Sequence, residues 1–235
     1  MPDRRPRMTC HVAFDTSTPR GTVAVSLPGG EVHETPLGAS RMHAAALMPA
    51  LSSLLAEHGL GFADVQGVVV GAGPGSFTGV RVAAATAKAL VHVLSLPLTA
   101  ISSLAAAAWG PLWGRVQDRV VVFDARGERV YWAHFRAGAR LETVLEPRAG
   151  VLADVVEHLR DLLPLGASCA GDGAERHRNV LEECGAQVLG GAGFPSAQAL
   201  LELAQLDPDR PQVENPARWQ PEYLKPWTGR TSETR

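Results

Sequence analysis

Three valines in succession, Val68-Val69-Val70, run straight into Gly71-Ala72-Gly73-Pro74-Gly75-Ser76, and helical spacing takes over from Phe77 to about Leu94. A strand that is apolar on both faces belongs inside a sheet with helices over it, and the glycines permit the sharp turn that feeds the helix. Around this unit, residues 10–14 and 22–27 read as a β-hairpin, with a third strand over 31–37. A helix is expected over 42–57, stopped by Gly59, and a strand over 98–101 precedes a further helix capped by Ser102 or Ser103. Strand, strand, strand, helix, strand, helix predicts a mixed sheet with helices packed on it.

The pattern then restarts. Residues 109–118, with Gly110, Pro111 and Gly114, read as a lobe boundary, and strands over 120–124 and 129–135 open a second α/β unit. Helical patterns over 153–163, 175–184 and 197–206 alternate with strands over 167–170 and 187–189. The expectation is an α/β chain of two related lobes: 9–112 forming the first, 113–225 a smaller second, and 226–235 a flexible tail. Beyond Asp207 only 221–225 is expected to be ordered.

At 235 residues and 46% hydrophobic, the chain can bury its cores without a staple. Cys10, Cys169 and Cys184 lack CxxC spacing and predict reduced, packed thiols. No apolar run approaches the ~20 residues of a membrane span, and the basic start is not followed by a signal-peptide core, so a cytoplasmic protein is expected. A net charge of -2 lacks the basic excess that gives affinity for phosphate backbones. Contact with tRNA is therefore expected only indirectly, shared with a partner, with Arg126, Arg218, Lys225 and Arg230 as its possible points.

Catalytic patterns are sparse. None of His43, His92, His158 or His177 is followed four residues later by a histidine or an acid, so no helical metal pair is predicted. Pro74 and Thr78 stand where a nucleophile elbow around Ser76 requires glycines. Glycines at 71, 73, 75 and 79 fit neither phosphate-loop fingerprint, which leaves a structural turn and a phosphate cradle both open. No cofactor is expected. The weak candidates are Asp15, Thr16 and Thr18, which resemble the acid-hydroxyl hairpin of actin-like sugar kinases and heat-shock ATPases, although Ser17 stands where those have glycine.

Between Met42 and Ala56 there is no formally charged residue unless His43 is protonated. His43, Leu47, Ala50, Leu51 and Leu54 share one face of this helix, and Ala45, Ala46, Pro49, Ser52, Ser53 and Ala56 lie opposite. A helix covering a sheet normally shows charge to water, and small uncharged residues suit close packing against a second protein. The helix from Phe77 carries small residues and a narrow polar stripe of Arg81, Lys88 and His92. The candidate interface is Met42, His43, Ala46, Leu47, Ala50, Ser53, Leu54, Phe77, Arg81, Ala84, Ala85, Lys88 and His92. The alternative is that the chain's own second lobe covers both helices.

The runs 13–18, 73–81 (GPGSFTGVR), Asp124-Ala125-Arg126 with Val130-Tyr131-Trp132, 171–174 and 221–224 resemble the TsaB (YeaZ) family, the bacterial partner subunit of the tRNA threonylcarbamoyladenosine synthesis complex. The resemblance implies an actin-like (ASKHA) fold and a first-lobe helix pair that joins either another copy or the catalytic paralogue TsaD, with TsaE contributing ATPase activity. It implies a non-catalytic scaffold for threonylcarbamoylation of adenosine 37 in ANN-decoding tRNAs. Where TsaD-like chains carry an HxxxH metal pair, Ser103 and Ala107 stand here. The reading from the enzyme class is a degenerate actin-like ATPase that holds Mg-ATP with Asp15, Thr16, Thr18 and the 73–79 turn.

Overall fold

A computed structural model describes residues 10–162 and 167–224. The first lobe opens with β1 (His11–Asp15), β2 (Thr22–Ser26) and β3 (Val32–Pro36), followed by α1 (His43–Glu57), β4 (Gly67–Gly71), α2 (Phe77–Leu94), β5 (Leu98–Ile101) and α3 (Ser103–Ala108). The second sheet is built from β6 (Asp118–Asp124), β7 (Arg129–Ala137) and β8 (Leu141–Val151), then α4 (Leu152–Leu162), β9 (Ser168–Ala170), α5 (Asp172–Arg176), α6 (Arg178–Glu183) and β10 (Gln187–Leu189). Helix α7 (Ala197–Leu206) closes the described elements.

The two sheets share one plan. Their strand orders are β3-β2-β1-β4-β5 and β10-β9-β6-β7-β8, so each joins an antiparallel meander to two parallel strands. The architecture is two-lobed, α/β and actin-like, as expected. Alternation along the central strands decides which helix covers which face. Val12, Phe14, Val23, Val25, Val68 and Val70 meet Leu47, Leu51 and Leu54 of α1 and Ala83, Ala87 and Val91 of α2. Ala13, Ala24 and Val69 point the other way and meet Leu200, Leu201 and Leu203 of α7. Each fully buried Leu or Val contributes about 1.5–3 kcal/mol, and this double cover is what a strand such as β4 requires. Between the lobes lies α3, whose Ala106 packs with α7 while Leu104, Ala107 and Ala108 pack against Val121, Phe123, Ala133 and Phe135 of the second sheet.

Four expectations change. The division 113–225 does not form one lobe, because α7 returns to the first sheet, and beyond it Val213 N–H donates to Leu98 O (2.8 Å) and Trp219 packs on the first core. Among the described residues, α7 is the main cover of the second face of the first sheet. Strand β8 was not expected: it is an edge strand, largely exposed, and its Leu-Glu-Thr-Val-Leu-Glu-Pro pattern carries little apolar alternation. The helix expected over 175–184 is two short helices separated at His177. Helix α2 does have the length and apolar composition of a short membrane span, but Val80, Ala83, Ala84, Ala87, Leu90 and Val91 pack on the sheet. Residue 9, Lys225 and the tail 226–235, with Arg230, lie outside the described residues.

Candidate functional site

Two places carry the sequence's functional signals: the hairpin at the end of β1, and the outer surface of α1 and α2. At the first, Asp15, Thr16, Ser17 and Thr18 are all buried. Asp15 Oδ1 accepts from Ser17 N–H (2.7 Å) and Ser17 Oγ (2.6 Å), and Oδ2 accepts from Ser103 Oγ (2.6 Å). Burial pushes the Asp15 pKa upward, against the hydrogen bonds from Ser103 and Ser17, which favour the carboxylate. Thr16 Oγ1 donates to Gly79 O (2.6 Å), and Ser76 N–H donates to Ser17 O (2.7 Å).

The glycine-rich turn is thus spent on the hairpin. A Cβ on Gly79 would overlap the Thr16 carbonyl, and one on Gly75 would overlap the Ser17 carbonyl. Glycine is required at both positions because one backbone lies directly on the other. Ser76 caps α2 by accepting from Gly79 N–H (3.4 Å). The second lobe repeats the device: Asp124 Oδ1 accepts from Arg126 N–H (2.8 Å), Arg176 pairs with Asp124 Oδ2 (2.8 Å), and Asp172 Oδ1 accepts from Asp124 N–H (3.1 Å). Among the described residues, no three His, Cys, Asp or Glu side chains gather as metal ligands.

The outer face of α1 is different. Ala44, Ala45, Met48, Pro49, Ser52, Ser53 and Ala56 are exposed, and none carries a charge. Pro49 has no N–H to return to the Ala45 carbonyl, which removes one i to i−4 bond from this face. Beside it, α2 exposes Phe77, Arg81, Ala85, Ala89, His92 and Val93, with Val93 at 77% and Phe77 at 59%. Met48, Phe62, Ala85, Ala89, Val93 and Leu94 line a groove of about 600 Å³ between the helices. Nearer the start of α2, Arg81 lies over the Phe77 ring (3.6 Å to the centroid) and over that of Tyr223 (5.8 Å).

Of the expected interface residues, Met42, Ser53, Phe77, Arg81, Ala85 and His92 are exposed, and Ala46, Ala50 and Lys88 are half-buried, Lys88 Nζ donating to Ala217 O (3.2 Å). His43, Leu47, Leu54 and Ala84 are a correction: each is turned into the first lobe's own core. The apolar stripe of α1 covers the sheet, and His43 packs its ring against Gly21 with Nε2 3.3 Å from Gly38 O. Among the described residues, nothing of the second lobe covers the opposite face. The candidate interface read from the sequence leaves out Met48, Ala89, Val93 and Tyr223, of which Ala89 and Val93 follow Ala85 at helical spacing.

Comparison with known proteins gives this geometry a family. The family profile described as TsaD, tRNA N6-adenosine threonylcarbamoyltransferase, matches residues 28–185. The tRNA threonylcarbamoyladenosine biosynthesis protein TsaB of Bacillus subtilis is 32% identical over 186 residues, which span 78% of each chain. TsaB of Haemophilus influenzae is 38% identical over 123 residues, 52% of each chain. A crystal structure from Pseudomonas aeruginosa, of an uncharacterized protein with similarity to peptidase YEAZ, superposes with a TM-score of 0.79 at 27% identity, covering 93% of this chain and 100% of that one. YeaZ from the same organism gives 0.75 at 25% identity, covering 92% and 100%. By sequence over most of its length and by fold over nearly all of it, the chain belongs to the TsaB (YeaZ) family.

Proposed function

We propose that the chain is a non-catalytic scaffold and activator required for threonylcarbamoylation of adenosine 37 in ANN-decoding tRNAs, docking through the outer face of α1 and α2 on a TsaD-type catalytic paralogue. One observation carries this reading: the exposed side of α1 bears no charge from Ala44 to Ala56 and flanks an apolar groove lined by Met48, Ala85, Ala89 and Val93. Exposing such a surface to water is unfavourable, and alanines and serines let two helices approach closely. Met48 suits a face that accepts more than one partner, because its thioether chain adapts to the opposing shape.

On this reading two copies pair through the same face when the chain is alone, and the paralogue displaces one of them in the cytoplasm. The ATPase subunit TsaE joins the assembled pair, and tRNA is held chiefly by the partner. The ATPase alternative draws no support from the hairpin, since both Asp15 oxygens, the Ser76 N–H and the N–H and carbonyl of Gly79 are engaged within the chain. The test is to mix the chain with the TsaD-type protein of the same organism and follow mass by light scattering after gel filtration. A heterodimer that forms at the expense of the homodimer is expected. Persistence of two separate species at micromolar concentrations, with no gain in modification activity on mixing, refutes it.

A further inference from the structure

The segments that cross between the lobes, 109–118 and 190–196, frame a cleft of about 490 Å³ on the α7 side of the first sheet, opposite the α1–α2 face. Trp109, Trp113 and Phe194 form its aromatic walls, Glu34 and Glu202 bring carboxylates from the first lobe's strand β3 and helix α7, and Arg119 brings a guanidinium from β6. These charges do not neutralise one another by pairing. Glu202 Oε2 accepts from Trp109 Nε1 (2.8 Å) and Oε1 from Gln198 Nε2 (2.7 Å), while Glu34 Oε1 accepts from Gln198 N–H (2.9 Å). All three donors are neutral, and among the described residues neither carboxylate has a cationic partner.

Arg119 is the independent sign of a ligand. It is only 8% exposed, donates through Nε to Val116 O (2.8 Å) and through Nη1 to Ala108 O (2.6 Å), and forms no ion pair among the described residues. Its Nη2 edge has no partner among those residues, and the side chain lines the cleft. A buried guanidinium is strongly stabilised by an anion, preferably one that accepts two parallel N–H bonds. Carboxylates oriented by neutral donors are correspondingly ready for an ammonium group. Both demands arise close together, because Arg119 holds the carbonyl of Ala108 and Glu202 holds the indole of the next residue, Trp109.

We propose that this interlobe cleft binds a zwitterionic small molecule, a free α-amino acid, with its carboxylate on Arg119 and its ammonium group on the Glu202 side among the aromatic walls. The ligand would touch groups of both lobes and stabilise their present arrangement. This inference stands on residues away from the docking face and does not depend on the function proposed above.

The test is a thermal-unfolding and calorimetric screen of the full chain against the proteinogenic amino acids, each compared with its N-acetylated and C-amidated forms. At about 100 times Kd, linkage predicts a rise in Tm of roughly 5–10 °C for a chain of this size. At least one free amino acid is expected to bind one-to-one, with both blocked forms at least tenfold weaker. Glu202→Gln should weaken binding about tenfold, and Leu112→Trp, at the 66% exposed rim, should obstruct entry while leaving the fold intact. The proposal is overturned if no amino acid shifts Tm or gives heat, if blocked and free forms bind alike, or if Leu112→Trp binds like the parent.

Discussion

Substituting Val93 by Asp places a charge on the proposed docking face, at a well-exposed apolar residue. Val93 is 77% exposed, so the substitution should change folding stability by no more than about 0.5 kcal/mol. Assembly is another matter. Covering most of a valine contributes about 1–2 kcal/mol of the 1.5–3 expected for complete burial, and desolvating an unpaired carboxylate costs about 2 kcal/mol more. The sum of 3–4 kcal/mol weakens pairing with the TsaD-type partner by roughly 10²–10³-fold. In a twofold homodimer the substitution occurs twice across one interface, so self-association should fall by about the square of that factor. Sedimentation equilibrium measures the homodimer and calorimetry the heterodimer, with Val180→Asp on α6, 45% exposed in the second lobe, as the control. If Val93→Asp keeps both dissociation constants within about threefold of the parent, the reasoning from the uncharged face is wrong.

Asp15→Ala removes the acceptor of three buried hydrogen bonds and should destabilise by about 2–4 kcal/mol, seen as a Tm lower by roughly 5–15 °C. The same variant should show no loss of Mg-ATP affinity by calorimetry, whereas a loss would revive the ATPase. His134 lies buried between Asp118 (3.0 Å) and His158 (3.2 Å), and burial holds the pKa of both histidines below the ordinary range. The unfolded chain then binds protons that the folded one refuses, so stability present at neutral pH should fall as pH drops through about 6.5, by at most ~1.4 kcal/mol per unit for each proton. His158→Gln should flatten that slope in Tm measured against pH. Burial also pushes the Asp118 pKa up, but hydrogen bonds from Arg136 and His134 outweigh it and leave the pKa lowered, so its contribution disappears only at more acid pH. Burial pushes the Cys169 thiol up to about 12, so under native conditions at pH 8 alkylation followed by peptide mapping should find Cys184, which is half-buried, modified well before Cys169.

Much of this fold is written locally. The valine run of β4, the glycine turn and α2 were readable because a doubly buried strand and a helix leave different periods, and their limits differ little from those expected. Strand β8 was not, because an edge strand half open to water needs little apolar alternation, and its pairing with β7 is a long-range choice. The destination of α7 was equally hidden. Its apolar residues announce a covering helix, yet nothing local says which sheet lacks a cover. At the proposed docking face the sequence revealed the absence of charge, while the assignment of sides failed in part: His43, Leu47 and Leu54 formed the more apolar stripe, and that stripe serves the core. The signal on which the proposed docking rests lay in the blandness of the other side.

The hairpin and the position of Ser103 form one structural device. Ser103 Oγ donates to Asp15 and accepts from Gly73 N–H (3.0 Å), and Ser103 N–H donates to Gly73 O (2.8 Å). One short side chain therefore ties the β1 hairpin, the glycine turn and the start of α3 together. The space is filled: a Cβ added to Gly71 would overlap the Asp15 carboxylate and lie 3.0 Å from Ser103 Oγ. An imidazole at 103 would not fit beside that carboxylate without displacing a backbone. Ala107, a turn further along α3, is wholly buried, and its carbonyl accepts from Trp113 Nε1 (2.8 Å), which anchors the crossing to the second lobe. Where a metal site would need projecting ligands and an open hairpin, these residues draw the same three elements into contact. Thr16 Oγ1 and Ser76 N–H bond the same hairpin to the start of α2, which ties it to one of the two helices of the proposed docking surface.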